Sequence, residues 1–168
     1  MKKFYSVFLL FVFIISCSKN QDAASVENDP YAEQIEVLLS KMTLEEKIGQ
    51  TNLRGTSSRS RELSEELKES VRKGHVGALL NVMNTEFVDE LQRIAVEESP
   101  NKIPILFGRD VVHGFKTVFP IPLGLAASWD TEVVKKGSRI AAIEASSVGI
   151  RWTFAPMLDI SRDSRWGR

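Results

Sequence analysis

Asp110 lies in the run Gly108-Arg109-Asp110-Val111-Val112-His113-Gly114, directly after the apolar segment Ile103 to Phe107. Asp159 follows a second apolar segment, Thr153 to Leu158, and opens the run Asp159-Ile160-Ser161-Arg162-Asp163-Ser164-Arg165-Trp166-Gly167-Arg168. If both segments are strands of a parallel α/β sheet, the two acids stand at strand carboxyl ends, where such folds gather their functional groups. An acid there, beside glycines and near arginines and a tryptophan, suits recognition of a sugar. Carboxylates accept hydrogen bonds from vicinal hydroxyls, arginine donates to others, and an aromatic face packs against the C–H surface of a pyranose.

Each of these residues also has a plainer role open to it. Asp110 serves equally well as a cap or turn former. His113, next to Gly114, reads as a structural hydrogen-bonding residue. The arginines can be solvated or pair with Asp163 across the loop, and Trp166 can plug the adjacent core. A search for two carboxylates would nominate Asp110 and Asp159 as a glycosidase pair, but sequence does not supply their separation, which is what such a pair depends on.

The elements that must position these residues can be read from pattern. Asp29-Pro30 opens a helix bearing Ile35, Leu38, Leu39 and Met42. Thr43-Leu44-Glu45-Glu46 is a capping box that starts a second helix, and the Gly, Ser, Thr and Arg stretch from Arg54 to Arg61 reads as a loop. Leu63, Leu67 and Val71 mark a third helix, stopped at Gly74. Val76 to Leu80 is a strand, Thr85 caps a helix bearing Val88, Leu91 and Ile94, and Ile103 to Phe107 is the next strand. A Gly- and Pro-rich loop spans Gly108 to Ser128, Asp130 caps a helix bearing Val133, Val134, Ile140 and Ile143, and Thr153 to Leu158 is a third strand. This order predicts an α/β fold of parallel βαβ units. Both a doubly wound sheet and a (β/α)8 barrel begin this way. No Gly-rich phosphate fingerprint follows any strand, which weakens a nucleotide-binding reading. With three strands in view the barrel is incomplete, and its third strand is left with an unpaired edge.

The first residues read as a leader rather than as part of the fold. Lys2 and Lys3 are followed by the apolar run Val7 to Ile15, too short for a comfortable bilayer span of about 20 residues and suited to a secretory signal. Ile14-Ile15-Ser16-Cys17 resembles the bacterial lipobox, so Cys17 is the expected lipidation site of an exported, lipid-anchored chain; the alternative is an ordinary signal peptide with a chance cysteine. Residues 18–30 then form a flexible tether ahead of a domain over residues 31–168. Of the 22 basic and 22 acidic residues the leader removes two lysines and no acid, so the remaining chain is slightly acidic, which gives no electrostatic case for nucleic acid. Cys17 is the one cysteine, so no internal disulfide is possible. With only His75 and His113 beside it, no metal-ligand cluster or other cofactor is expected.

The chain resembles glycoside hydrolase family 3, and more closely the periplasmic β-glucosidases within it. The matching motifs are Met42 to Gln50, Asp110-Val111-Val112-His113-Gly114, Thr117-Val118-Phe119-Pro120, Ala155-Pro156-Met157-Leu158-Asp159 and the run from Ser161 to Arg168. The resemblance implies the N-terminal (β/α)8-type barrel domain of that family. It implies that Asp110 binds hydroxyls of the terminal sugar and that Arg168 contacts the same sugar, with Asp163, Arg165 and Trp166 building the loop that presents Arg168. Ser164 stands where the family usually has proline, which loosens that loop. Family members typically act with retention, through a nucleophilic Asp and an acid/base Glu about 5–5.5 Å apart. The resemblance puts both beyond the residues of this chain, so it implies an N-terminal part of a β-glucosidase with substrate-binding groups and no catalytic residue. Asp159 is not promoted to fill that place. The alternative is a small sugar-binding lipoprotein that works without catalysis. The expected partners are a β-linked glucoside or oligosaccharide and, through Cys17, the membrane.

Overall fold

The computed structural model of the chain describes residues 29–56, 62–156 and 160–166. The proposed lipidation site Cys17, the tether up to residue 28, Asp159 and Arg168 lie outside the described residues. Two compact units divide between Ser40 and Lys41. Of the first unit, helix α1 (Ala32–Lys41) is described. Asp29 precedes it and accepts the Tyr31 N–H at 2.9 Å, as an N-terminal acid should.

The second unit opens with α2 (Leu44–Gln50), and its capping box forms as expected. Thr43 Oγ1 accepts the Glu46 N–H at 3.2 Å, and Glu46 Oε2 accepts the Thr43 N–H at 2.8 Å. Glu46 is buried, and the Asn101 amide, followed by the Thr43 N–H, holds its carboxyl below the usual glutamate range. A sequence-local cap thus also ties α2 to the segment ahead of the third strand.

The sheet contains β1 (Leu53–Gly55), β2 (Ala78–Leu80), β3 (Leu106–Arg109) and β4 (Trp152–Thr153), all parallel and in the order β1-β2-β3-β4. Between them run α3 (Glu65–Arg72), α4 (Thr85–Arg93), the short α5 (Pro122–Ala127) and α6 (Thr131–Ser146). Three strand–helix units followed by a fourth strand confirm the expected parallel α/β fold. The strand inventory differs at one place. β1 falls at the start of the stretch read as a loop from Arg54. Nothing in Leu-Arg-Gly alternates like a half-buried strand, because its central residue is charged. Arg54 is nonetheless in register with Leu79 and faces the helices, where its guanidinium donates to Ser70 Oγ at 3.0 Å and to Glu66 Oε1 at 3.2 Å on α3. Its aliphatic stem lies in the layer while its head reaches polar partners.

Alternation along β2 and β3 sends Leu79 and Phe107, both almost fully buried, into the layer beneath α3 and α4. There they pack with Leu67, Val71, Leu91, Ile94 and Ile105. Burying side chains of this size contributes about 1.5–3 kcal/mol each, so this cluster dominates the stability of the unit. On the opposite face Leu53 and Leu106 remain exposed.

Several boundaries move. The cap of α4 is Asn84, not Thr85. Asn84 Oδ1 accepts the N–H groups of Glu86 and Phe87, leaving Thr85 as the first helical residue. The end of α4 widens into a π-helical turn, Ile94–Glu98, that closes at Ser99. α6 begins at its expected cap, Asp130, whose carboxylate accepts the Glu132 and Val133 N–H groups. Its buried stripe, however, is Gly137, Ala141 and Ala145, while Val133, Ile140 and Ile143 are exposed. Small residues at i, i+4 and i+8 let the loop after β3 lie close against the helix, which larger side chains would prevent. The last strand is shorter than expected. It is confined to Trp152–Thr153 at the sheet edge, and Met157 and Leu158 lie outside the described residues.

Two outcomes follow. A Cβ on Gly77 would stand 2.2 Å from the Gln50 carbonyl oxygen and one on Gly49 2.1 Å from that of Gly74, whereas Gly55 has open space. Denaturant titration should show Gly49→Ala and Gly77→Ala each less stable by about 1–3 kcal/mol or more, with Gly55→Ala close to wild type; tolerance at Gly49 and Gly77 would refute the backbone contact. Glu98 bridges Arg72 Nε at 2.6 Å and Arg93 Nη1 at 2.7 Å, tying α3 to the end of α4. Hydrogen bonds from Arg72 and then Arg93 hold its carboxyl below the usual value of 4.5. A depressed carboxyl contributes its stability above the unfolded value and loses it as pH falls through the folded one. Glu98→Gln should therefore be less stable than wild type at about pH 7, and the two should converge as the pH falls through the lowered folded-state value of Glu98.

Candidate functional site

Hydrogen bonds between neighbouring strands knit together the carboxyl ends of β1, β2 and β3. The Thr56 N–H and Oγ1 both donate to the Leu80 carbonyl at 2.9 Å. Asn81, at φ 71°, turns the chain out of β2 and donates its N–H to the Gly108 carbonyl at 3.1 Å. Asparagine tolerates this left-handed conformation better than most residues. Its side chain then accepts from Arg109 Nη1 at 3.0 Å, and the Arg109 guanidinium lies 5.9 Å from the centre of the Phe115 ring. Arg109 is therefore a structural tie between two strand ends and the loop that follows.

Asp110 comes next, at the mouth of β3. Its side chain is exposed and, among the described residues, forms no hydrogen bond. It caps no helix among the described residues. Two residues earlier, Gly108 is in register with Trp152, and a Cβ at Gly108 would lie 3.3 Å from the Trp152 ring and 3.4 Å from that of Phe154. The missing side chain lets an aromatic pair, with ring centres 4.6 Å apart, lie over the strand. Trp152 and Phe154 were not singled out by sequence reasoning, although their spacing of two across Thr153 was the available signal.

The loop after Asp110 is built in two layers. Val111 is buried against Ala141, Ala145, Val148 and Ile150, with Phe115 packed beside them. From His113 to Phe119 the chain doubles back. The Phe119 N–H donates to the His113 carbonyl at 2.8 Å, the His113 Nδ1 lies 2.8 Å from the Phe119 carbonyl, and Gly114 bridges Val118. Gly114 takes φ 121°, and a Cβ there would be 2.0 Å from the Thr117 carbonyl oxygen, so only glycine fits. The tip, Lys116 and Thr117, is held by Glu144 on α6. Thr117 Oγ1, then the Thr117 N–H, keeps the Glu144 carboxyl below the usual range. His113 is thus a structural hydrogen-bonding residue.

Of the closing run, residues 160–166 are described. Ser164–Trp166 form a single 3-10 turn whose Trp166 N–H donates to the Asp163 carbonyl at 3.1 Å. Arg165 is paired with Asp163 through its guanidinium and its N–H. That pairing lowers the Asp163 carboxyl and raises the Arg165 guanidinium relative to their usual values. Arg165 is therefore committed within its own turn, and Trp166, 46% exposed, does not plug a core. Among the clefts between the described residues, three bear on this region. One of about 350 Å³ lies behind the loop, between His113, Ala141 and Trp152. Another of about 610 Å³ is lined by Arg109, Phe115 and Lys116, and a third of about 200 Å³ by Thr56 and Asn81. Asp110 lines none of these three and faces solvent.

Comparison with known proteins matches this arrangement to one family. The family model for the glycosyl hydrolase family 3 N terminal domain covers residues 43–168. The chain is 45% identical over 131 residues to the periplasmic beta-glucosidase of Salmonella typhimurium, an alignment covering 78% of this chain and 17% of that protein. It is 32% identical over 160 residues to the lysosomal beta glucosidase of Dictyostelium discoideum, covering 80% of this chain and 20% of the relative. Among solved structures, a beta-glucosidase from Listeria innocua in complex with glucose superposes with a TM-score of 0.67 at 37% identity, over 81% of this chain and 20% of that one. The chain thus spans about a fifth of the length of the curated relatives it matches.

Removing the His113 ring should cost a hydrogen bond and nothing chemical. His113→Ala is expected to lower stability by about 1 kcal/mol in denaturant titration. A His113→Ala variant as stable as wild type would contradict the structural role.

Proposed function

This chain belongs to glycoside hydrolase family 3, and from that premise we propose that it supplies part of the terminal-sugar pocket of an exo-acting, retaining β-glucosidase. Asp110 accepts hydrogen bonds from vicinal hydroxyls of the terminal glucosyl unit, and Arg168 donates to the same ring. The observation that carries this reading is the state of Asp110. It is an exposed carboxylate one residue past β3, without a hydrogen-bond partner among the described residues, and two residues after the Gly108 that Trp152 and Phe154 cover. A group so placed keeps its acceptor capacity for a ligand, and the aromatic pair offers an apolar surface for the C–H face of a pyranose. Relatives named as beta-glucosidases, one of them solved with glucose, support the same substrate class.

In the reaction proposed for the whole enzyme, one carboxylate attacks the anomeric carbon as a second protonates the leaving oxygen. Water activated by the second then releases glucose with net retention. Neither carboxyl group is assigned to a residue of these 168. What this chain's residues do is bind and orient the ring. The apolar run Val7 to Ile15 ahead of Cys17 and the periplasmic relative support export, with residues 1–17 as leader, a lipid anchor at Cys17, a tether over 18–30 and the barrel portion over 31–168.

Titrating methyl β-D-glucoside into the labelled chain should shift the resonances of Asp110 and Arg168. Asp110→Asn should weaken binding by about tenfold or more, the scale of a lost charge-assisted hydrogen bond. The purified 168-residue chain should not turn over an aryl β-glucoside. Robust hydrolysis by the pure chain, or binding indifferent to Asp110→Asn, would overturn the reading.

A further inference from the structure

Glu144 sits in the last turn of α6, a poor place for an acid. The carboxyl end of a helix carries the negative end of the macrodipole and favours cations, and that turn holds no basic residue. Nothing in helix formation accounts for a carboxylate there; its partners do. Glu144 Oε2 accepts the backbone N–H groups of Lys116 and Thr117, each at 2.8 Å, and Oε1 accepts the Thr117 hydroxyl at 2.6 Å. One side chain thus satisfies three donors at the tip of a loop nearly thirty residues away in sequence. Two of them are main-chain groups that the tight turn at Gly114 leaves without partners inside the loop.

The clamp bears on the site because of what lies between it and the sheet. The base of the loop is closed by the paired His113 and Phe119, and its inner side is seated by Val111 and Phe115 on the small-residue face of α6. Asp110 is the residue that joins β3 to this assembly. On one side it is fixed by the β2–β3 ladder and the Arg109–Asn81 bond. On the other its position depends on how the loop is held to α6. We propose that Glu144 is a positioning residue for the sugar pocket, its carboxylate clamping the Lys116–Thr117 tip so that Asp110 presents its oxygens to the ring in one fixed orientation. This rests on the sugar-pocket reading of Asp110 given above.

The test is a double-mutant cycle on the 168-residue chain, read as affinity for methyl β-D-glucoside and as amide hydrogen exchange, at a temperature where every variant is folded. Glu144→Ala should speed exchange at Lys116 and Thr117 and weaken the glucoside by about tenfold, while leaving exchange at Leu79 and Phe107 unchanged. Glu144→Gln keeps the shape and one carbonyl acceptor; it should bind more tightly than Glu144→Ala, and it provides the comparison if the alanine variant does not fold. The decisive result is the pair. If Glu144 acts through Asp110, then Asp110→Ala combined with the Glu144 substitution should bind no more weakly than Asp110→Ala alone. Losses that add, or glucoside affinity within about twofold of wild type in Glu144→Gln and Glu144→Ala alike, would overturn the positioning role while leaving the pocket intact. Wild-type chain that ignores the glucoside, or that binds it equally well after Asp110→Ala, would instead overturn the pocket reading and the positioning role with it.

Discussion

The parallel ladder between β2 and β3 is the constraint on which the rest of this unit depends. Leu79 and Phe107 are in register and both lie in the dry layer under α3 and α4. A shift of one residue would turn two large apolar side chains out to the open face and bring Leu80 and Gly108 inward. Because that exchange would forfeit several kcal/mol of burial, the register is unique. With it are set the row Gly55, Leu80, Gly108 and Trp152 across the sheet and the point at which Arg109 and Asp110 leave it. The site is placed by the core beneath it before any polar contact is made.

On this frame four acidic side chains serve as ties. Glu46, Glu98, Glu144 and Asp163 each accept hydrogen bonds from specific donors, and each is held below the ordinary range by those donors. They stay ionised to fasten one segment to another: helix cap to loop, α3 to α4, loop tip to α6, and one turn to itself. Asp110, like Glu33 and Asp89, has an exposed carboxylate and no internal partner among the described residues, but unlike them it stands directly after a strand. A carboxylate that the fold does not use is one that a ligand can use, and the proposal that its ligand is a sugar hydroxyl rests on its place at a strand mouth of a glycoside hydrolase family 3 domain.

Close backbone approach is the other recurrent device. Gly49 and Gly77 let α2 and the turn before β2 touch, Gly108 admits the Trp152 and Phe154 rings, and Gly137 with Ala141 and Ala145 admits the loop after β3. At each place the small residue marks where a neighbouring segment is brought in. In α6 this inverts the usual reading of a helix, since its bulkier Val133, Ile140 and Ile143 are the exposed ones.

What the amino-acid sequence determined unaided are the features whose physics is local or periodic. The capping box at Thr43, the Asp130 cap, the stop at Gly74, the apolar repeat of α3 and the alternation into parallel strands all depend on neighbours within a few residues, as does the string of motifs that carries the family resemblance. Tertiary structure alone decided the features whose partners are distant. Leu53–Gly55 lies in the sheet with Arg54 meeting Ser70 and Glu66 on α3. Trp152 and Phe154 become a platform because Gly108 stands in register beside them, and Glu144 becomes a clamp because the loop folds back onto α6. Such contacts join residues tens of positions apart, and a hydrogen bond or a van der Waals fit at that separation leaves no period in the chain from which it can be read.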